Sequence, residues 1–568
     1  MTPHTTADVI ASALKRHGVE MIFAQSLPSA VVLACERIGI RQIAYRQENM
    51  GGAMADGYAR VSGRVSVVCA QNGPAATLLV PPLAEALKAS IPVVALVQDV
   101  ERDQFDRNAF QDFDQIALLS PCTKWVRRVI AAERVEDYVD AAFVAAASGR
   151  PGPAALLLPA DLLREDAKPS QAHRKADLGH WPLDRQQPDA ESLAAAARLL
   201  ATAEHPVVLA GGGCASAEAS NALSALQDLS HLPVFTTNMG KGAVAETHPL
   251  SCGVLGALNG PKSLGNRTKE IMDSADLVLL VGTRTNQNGT DSWRGVPGMA
   301  EIIHIDIDGN EVGRNYEARR LVGDAAATLE GLTAALRNVS LEKRKAARSA
   351  LEEKIADAWT RFDADRKTLM STVPGLLRPE QVMTEVQNHL ARPAIVAADA
   401  SYSSMWVVGQ LRCDRPGQRF VTPRGLAGLG WGLPLAMGAK LAEPDSTVFA
   451  LVGDGGFAHS WAEMETLVRC NIPLVLIVLN NGILGYQRDA ETVKFGEYTT
   501  ACHFSPVDHA ALAAACGVSS DRVDTLDGLK TTLAKAVTSR QPWLIEVMTD
   551  PEAHPAISLY DGTLDQRL

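Results

Sequence analysis

Two apolar runs of this chain end in residues that can hold a metal ion. STVFALVGDGGF (446–457) delivers Asp454 among Gly453, Gly455 and Gly456, and PLVLIVLNNG (473–482) delivers Asn480-Asn481. Each run has the length and β-branched content of a buried strand. With a helix over about 460–470 between them, strands 446–452 and 473–479 form one right-handed parallel crossover. Their carboxyl ends then share one sheet edge, the edge that binds ligands in open α/β folds. Asp454 and Asn481, 27 residues apart, thereby bring two hard oxygen ligands to one crevice. One carboxylate, one amide oxygen and nearby backbone carbonyls suit Mg²⁺, which usually keeps water and substrate phosphates. The glycines let a ligand approach the backbone, and the following helix offers its N–H groups and positive end to an anion. A helix cap or a turn accounts for either motif alone. The two at matching strand ends point to a metal-bridged diphosphate site.

The elements that must position these residues are those of a large α/β protein. At 568 residues the chain exceeds one core, and two to four domains are expected. Net charge is −11 with no long Lys/Arg block, which argues against nucleic acid or an anionic membrane as the main partner. Nine cysteines without a CxxC pair read as reduced thiols of a cytoplasmic protein, not as a disulfide framework or zinc site. No apolar run approaches a membrane span, and the N-terminal amphipathic stretch has no apolar signal core.

Three α/β units follow from the alternation of strand and helix patterns. The first, 1–165, carries VSVVCA (65–70), PVVALV (92–97) and AALLLP (154–159). A polar stretch, 164–189, reads as a linker. The second, 190–340, carries strands within 205–213, 232–238, 275–284 and 301–308, and the charged segment 341–367 reads as a solvated connecting helix. The third, 375–555, carries strands at 393–399, 446–454, 473–481 and 542–550. The third unit echoes the first: Asn72 and Asp454 lie 382 apart, Pro92 and Pro473 381 apart. A duplicated unit with specialised copies is the natural inference.

The GDG and NN motifs together resemble the thiamin diphosphate signature of the pyruvate decarboxylase and acetolactate synthase superfamily, over nearly the whole chain. The resemblance implies three doubly wound parallel-sheet domains: pyrimidine-binding, central Rossmann-like and diphosphate-binding. It implies that Asp454, Asn481 and the backbone oxygen of Ile483 bind Mg²⁺. YRQENMGGAMADGYARVSG (45–63) resembles the catalytic-glutamate stretch, with Glu48 bonded to the pyrimidine ring of the cofactor. TPRGLAGLGWGLPLAMGAK (422–440) resembles the support of the bent cofactor, with Leu429 as the wedge and the Ala427 carbonyl as an acceptor for the 4′-amino group. Ser403 and Ser404 lie where the family contacts the diphosphate. In this superfamily Glu48 of one subunit meets Asp454 of another, so a dimer is the smallest active unit and a tetramer is common.

Phe110-Gln111, then Thr123-Lys124, resemble the acetolactate synthase stretch beside the reacting carbon. The reaction so implied is decarboxylation of a 2-oxo acid to an enamine and its transfer to an acceptor. The alternatives are an acyl-CoA lyase or decarboxylase, a sulfoacetaldehyde acetyltransferase-like enzyme, and a non-catalytic cofactor-binding subunit. Four departures suggest a changed pocket: FAQSLPSAVV (23–32) replaces the usual Gly-rich loop, Gln47 the usual His, Tyr486-Gln487 a smaller apolar pair, and Ala490 a selectivity Trp. In the central unit GGGC (211–214) reads equally as a tight turn, and VGTRTNQNGTDSW (281–293) lies where relatives contact FAD or the ADP part of CoA. Its residues leave both a nucleotide contact and a polar loop open.

Overall fold

Fully buried runs of β-branched and apolar residues build the centre of each sheet. Every residue is buried in the strands Ser66–Ala70, Leu277–Val281, Ala394–Ala398 and Val475–Asn480. Such runs belong to parallel strands covered by helices on both faces. The computed structural model describes residues 5–167, 174–370, 376–391, 393–560 and 564. Among them the strands form three six-stranded parallel sheets. Numbered by chain order within each sheet, the N-terminal and C-terminal sheets share one strand order, 2-1-3-4-6-5, and the central sheet runs 3-2-1-4-5-6, the doubly wound dinucleotide-fold order.

The shared order gives the duplication a structural form. The second strands are Arg41–Ile43 and Arg419–Val421, and each leads through a helix, Glu48–Ser62 or Gly432–Ala442, to a third strand. The third strands, Ser66–Ala70 and Thr447–Gly453, each pair in parallel with a fourth, Val93–Asp99 and Val475–Asn480. The helices Glu48–Ser62 and Gly432–Ala442 pack on each other through glycine. A Cβ on Gly57 would lie 2.3 Å from the Leu435 carbonyl oxygen, and one on Gly438 would lie 2.0 Å from that of Met54. Close backbone approach of this kind excludes any larger residue.

Three expectations change. The helix expected over about 460–470 is the short Glu463–Arg469, and a separate single turn, Asp454–Phe457, stands between it and the third strand. One turn carries little of a helix dipole, so that contribution to anion binding is small. The connecting helix runs Glu342–Met370 and is not wholly solvated, because Ile355, Ala358 and Phe362 bury one stripe against the central unit. In the linker, residues 168–173 lie outside the described residues, and the stretch around Gly179 and Trp181 is docked on the N-terminal unit. Trp181 donates to the Ala59 carbonyl at 3.2 Å, and Val65 donates to that of Gly179 at 2.7 Å.

Candidate active site

The two loops that follow the first and third strands of the C-terminal sheet open a cleft at its topological switch point. Ser403, Leu429, Gly453, Asp454, Gly455, Gly456, Asn481 and Ile483 line it, as do Asp399 and Tyr402. This is where an open α/β sheet binds ligands.

Asp454 is buried at the strand end, and its Oδ2 accepts the Gly482 N–H at 3.0 Å. Burial pushes the Asp454 carboxyl above its ordinary range, against the N–H groups of Gly455 and Gly482 and the charge of His509. Asn480 and Asn481 diverge. Asn481 faces the cleft, and its Oδ1 accepts the Ile483 N–H at 3.2 Å. Asn480 donates to Glu546 Oε1 at 2.7 Å in a buried group with His509, whose Nδ1 lies 3.0 Å from the same oxygen. Burial would raise the Glu546 carboxyl, but the bonds from His509 and Asn480 outweigh it and hold it at about 2. This charged group anchors the loop that presents Asn481.

The three glycines divide as well. A Cβ on Gly453 would meet only Ser403 Oγ at 3.5 Å, so this backbone is open to a ligand. On Gly456 it would lie 2.1 Å from Asp399 Oδ2, and on Gly455 2.7 Å from the Phe504 ring. These two are glycine because the protein packs against them. Asp399, which sequence reasoning passed over, is buried and accepts N–H groups of Ala400, Gly430 and Trp431 at 2.9, 3.0 and 3.1 Å. It ties the first strand to the Leu429 loop. Ser401, beside it, holds φ 63° and ψ −146°, a conformation other residues leave to glycine.

Five named residues stand outside the cleft. Ser404 turns away, donating to the Ser401 carbonyl at 2.9 Å and accepting from Arg424. Ala427 is exposed, with φ 64°. Glu48 opens the helix Glu48–Ser62 in the N-terminal unit and is half-buried. Phe110 and Gln111 sit at the carboxyl edge of the N-terminal sheet, where Asn72, the counterpart of Asp454, donates to the Gln111 carbonyl at 2.9 Å. Thr123-Lys124 correct the expectation. They precede the strand Trp125–Arg128, and Lys124 donates to the Pro153 carbonyl. They therefore lie at the amino edge, the opposite end of the sheet from Phe110-Gln111.

In the central unit the polar loop is hydrogen-bonded within itself and to other segments of the chain. Asn286 Oδ1 accepts the Gly289 N–H at 2.8 Å, Asn315 donates to Thr285 Oγ1 at 2.8 Å, and Ser558 donates to Asp291. Gly211 and Gly213 pack on Gly282, where a Cβ on either would come within 2.8 Å of its backbone. The nine cysteines are free thiols, and among the described residues no group of three His, Cys, Asp or Glu could hold a metal. No helix of the described residues is long and apolar enough to cross a membrane.

Models of three domains match the chain: the N-terminal TPP binding domain of thiamine pyrophosphate enzymes over 4–118, their central domain over 193–332 and their C-terminal TPP binding domain over 399–547. A probable acetolactate synthase large subunit of Methanocaldococcus jannaschii is 33% identical over 97% of this chain and 93% of its own length. An acetolactate synthase of Mycobacterium bovis is 33% identical over 87% and 78%, and the chloroplastic acetolactate synthase 2 of Nicotiana tabacum 30% over 97% and 83%. The chain belongs to the thiamine pyrophosphate enzymes, and within them it is an acetolactate synthase-like, thiamin diphosphate-dependent lyase and carboligase.

Proposed function

We propose that the enzyme cleaves the carboxylate from a 2-oxo acid and joins the remaining acyl fragment to a second carbonyl compound, with thiamin diphosphate held through Mg²⁺ in the C-terminal cleft. The observation that carries this is the convergence of Asp454 and Asn481 on one cleft. The donor set fits the metal. Asp454 is a buried carboxylate without a Lys or Arg ion pair among the described residues, and Asn481 and Ile483 line the same cleft. One carboxylate with neutral oxygens is the set of a Mg²⁺ that keeps water and phosphate oxygens.

Asp454, Asn481 and the Ile483 carbonyl would hold the metal. Ser403 and the open backbone at Gly453 would receive the diphosphate, and Leu429 would wedge beneath the rings. Bound thiamin diphosphate supplies the carbanion chemistry next to a carbonyl. The chain's residues orient the reactants, exclude water and hold a proton at the Glu48 carboxyl. Glu48, Phe110 and Gln111 do not line the cleft of their own chain, so a second copy provides them and the working unit is a homodimer or a larger homo-oligomer. Exposed apolar residues border both half-sites: Phe110 is 85% exposed and Leu426 53%.

Glu48→Gln tests the assignment. It should keep its fold and cofactor binding and lose about 10²–10⁴-fold in turnover of 2-oxo acids. Unchanged turnover would refute the role of Glu48.

A further inference from the structure

Two buried carboxylates, Glu85 and Glu463, cross between the outer units in opposite directions. Each is 1% exposed. Glu463 stands on the helix Glu463–Arg469 of the C-terminal unit. Its Oε1 accepts the N–H groups of Arg46 and Gln47 at 3.0 and 3.1 Å, in the loop that ends at Glu48. Thr466 donates to its Oε2 at 2.8 Å and fixes the carboxylate plane. Glu85 stands on the helix Val80–Ala89 of the N-terminal unit. Its two oxygens accept the N–H groups of Gly425, Leu426 and Ala427 at 2.7, 2.5 and 3.3 Å, in the loop that carries Ala427 and Leu429.

The arrangement follows the duplication. Both carboxylates lie on the segment between the third and fourth strands of their sheets, and both receive the loop after the second strand of the other sheet. Glu463 follows Glu85 by 378 residues while Pro473 follows Pro92 by 381, a difference of about one helical turn. Two further observations mark the loops as held in place. Ala427 adopts φ 64°, where a residue with a Cβ needs support from its surroundings. Gly425 sits so close to the Glu85 backbone that a Cβ would be 2.5 Å from its carbonyl oxygen. Successive N–H groups converging on one carboxylate make a rigid, charge-assisted contact.

We infer that Glu463 and Glu85 are positioning residues: Glu463 sets the height and direction of Glu48, and Glu85 sets the Ala427 carbonyl and the Leu429 wedge. Each unit thereby orients the reactive element of the other. The inference rests on the proposed reading of Glu48 and Ala427. Neither clamp touches Asp454, Asn481 or Ser403, so the grip on metal and diphosphate is separate from it.

The test uses the full chain with thiamin diphosphate and Mg²⁺, and compares Glu463→Gln, Glu85→Gln and the milder Thr466→Val with Glu48→Gln. Three quantities are read: the dissociation constant of the cofactor, the exchange rate of its C2 proton, and deuterium uptake by amides in peptides covering 44–50 and 423–430. Expected are C2 exchange slowed about 10–100-fold in both Gln variants and less in Thr466→Val, with cofactor affinity within about threefold of wild type because metal and diphosphate contacts are intact. Deuterium uptake should rise only in the peptide that each clamp holds. Wild-type exchange in the Glu463 and Glu85 variants, with exchange lost in Glu48→Gln, would overturn the inference and leave the catalytic reading standing. Loss of affinity and protection throughout the chain would mark a general structural role and would also overturn it. Wild-type exchange in Glu48→Gln would sink the catalytic reading itself, and the inference with it.

Discussion

Asn480 and Asn481 are adjacent and face opposite ways: Asn480 donates to buried Glu546 at 2.7 Å, while Asn481 lines the cleft beside Asp454. One asparagine anchors the loop, and the other is the proposed metal ligand. Asn480→Leu strips a partner from a buried carboxylate and should destabilise the fold by about 1–3 kcal/mol. Asn481→Leu should leave stability near wild type and weaken Mg²⁺-dependent cofactor binding. Denaturant titrations and cofactor titrations of both variants check the division.

Gly453 and Gly456 should separate in the same way. Gly456→Ala drives a Cβ to 2.1 Å from Asp399 Oδ2, a carboxylate pinned by three backbone N–H groups. It should cost about 3 kcal/mol by overpacking. Gly453→Ala meets only Ser403 Oγ at 3.5 Å, so its melting temperature should stay near wild type while cofactor affinity falls.

An acid-sensitive contribution lies far from the cleft, at Asp140. Burial would raise its carboxyl, but hydrogen bonds from His17, Arg16 and Arg174 outweigh that and draw it from the ordinary 3.8 to about 2. A folded-state value below the unfolded one stabilises the protein above pH 3.8 and is lost as pH falls through about 2. Asp140→Asn should therefore be less stable than wild type at neutral pH, and the gap should close between those two values. Denaturant midpoints measured across that range check the sign.

How much of this was legible in the sequence depends on the kind of signal. Central strands announce themselves as apolar runs, and Ala154–Pro159 has the bounds the run suggests. Edge strands such as Arg319–Val322 and Ser519–Val523 each bury one residue and leave the rest exposed or half-buried, so nothing in their composition separates them from loops. Asp454 and Asn481 stand out because polar residues close apolar runs. Glu85 and Glu463 do not, since a carboxylate on a short helix looks solvated until the other unit is folded against it. Thr123-Lys124 misled because motif order along the chain says nothing about which edge of the sheet a residue reaches.

Glu48 and Asp454 should complement across copies. Glu48→Gln and Asp454→Asn homo-oligomers should each be nearly inactive. Co-expressed, random pairing in a symmetric dimer leaves about a quarter of the sites intact. Recovery of that order, measured as turnover of a 2-oxo acid, is the expected outcome. No recovery in a confirmed mixed oligomer would mean that each chain builds its own site.

The most direct measurement is a titration of the purified protein with thiamin diphosphate, with and without Mg²⁺, in wild type and Asp454→Asn. Expected are saturable, Mg²⁺-dependent binding to wild type and its loss in the variant at an unchanged melting temperature. No binding to wild type, or equal binding to Asp454→Asn, would contradict the assignment of Asp454 and Asn481 to the metal-bridged diphosphate.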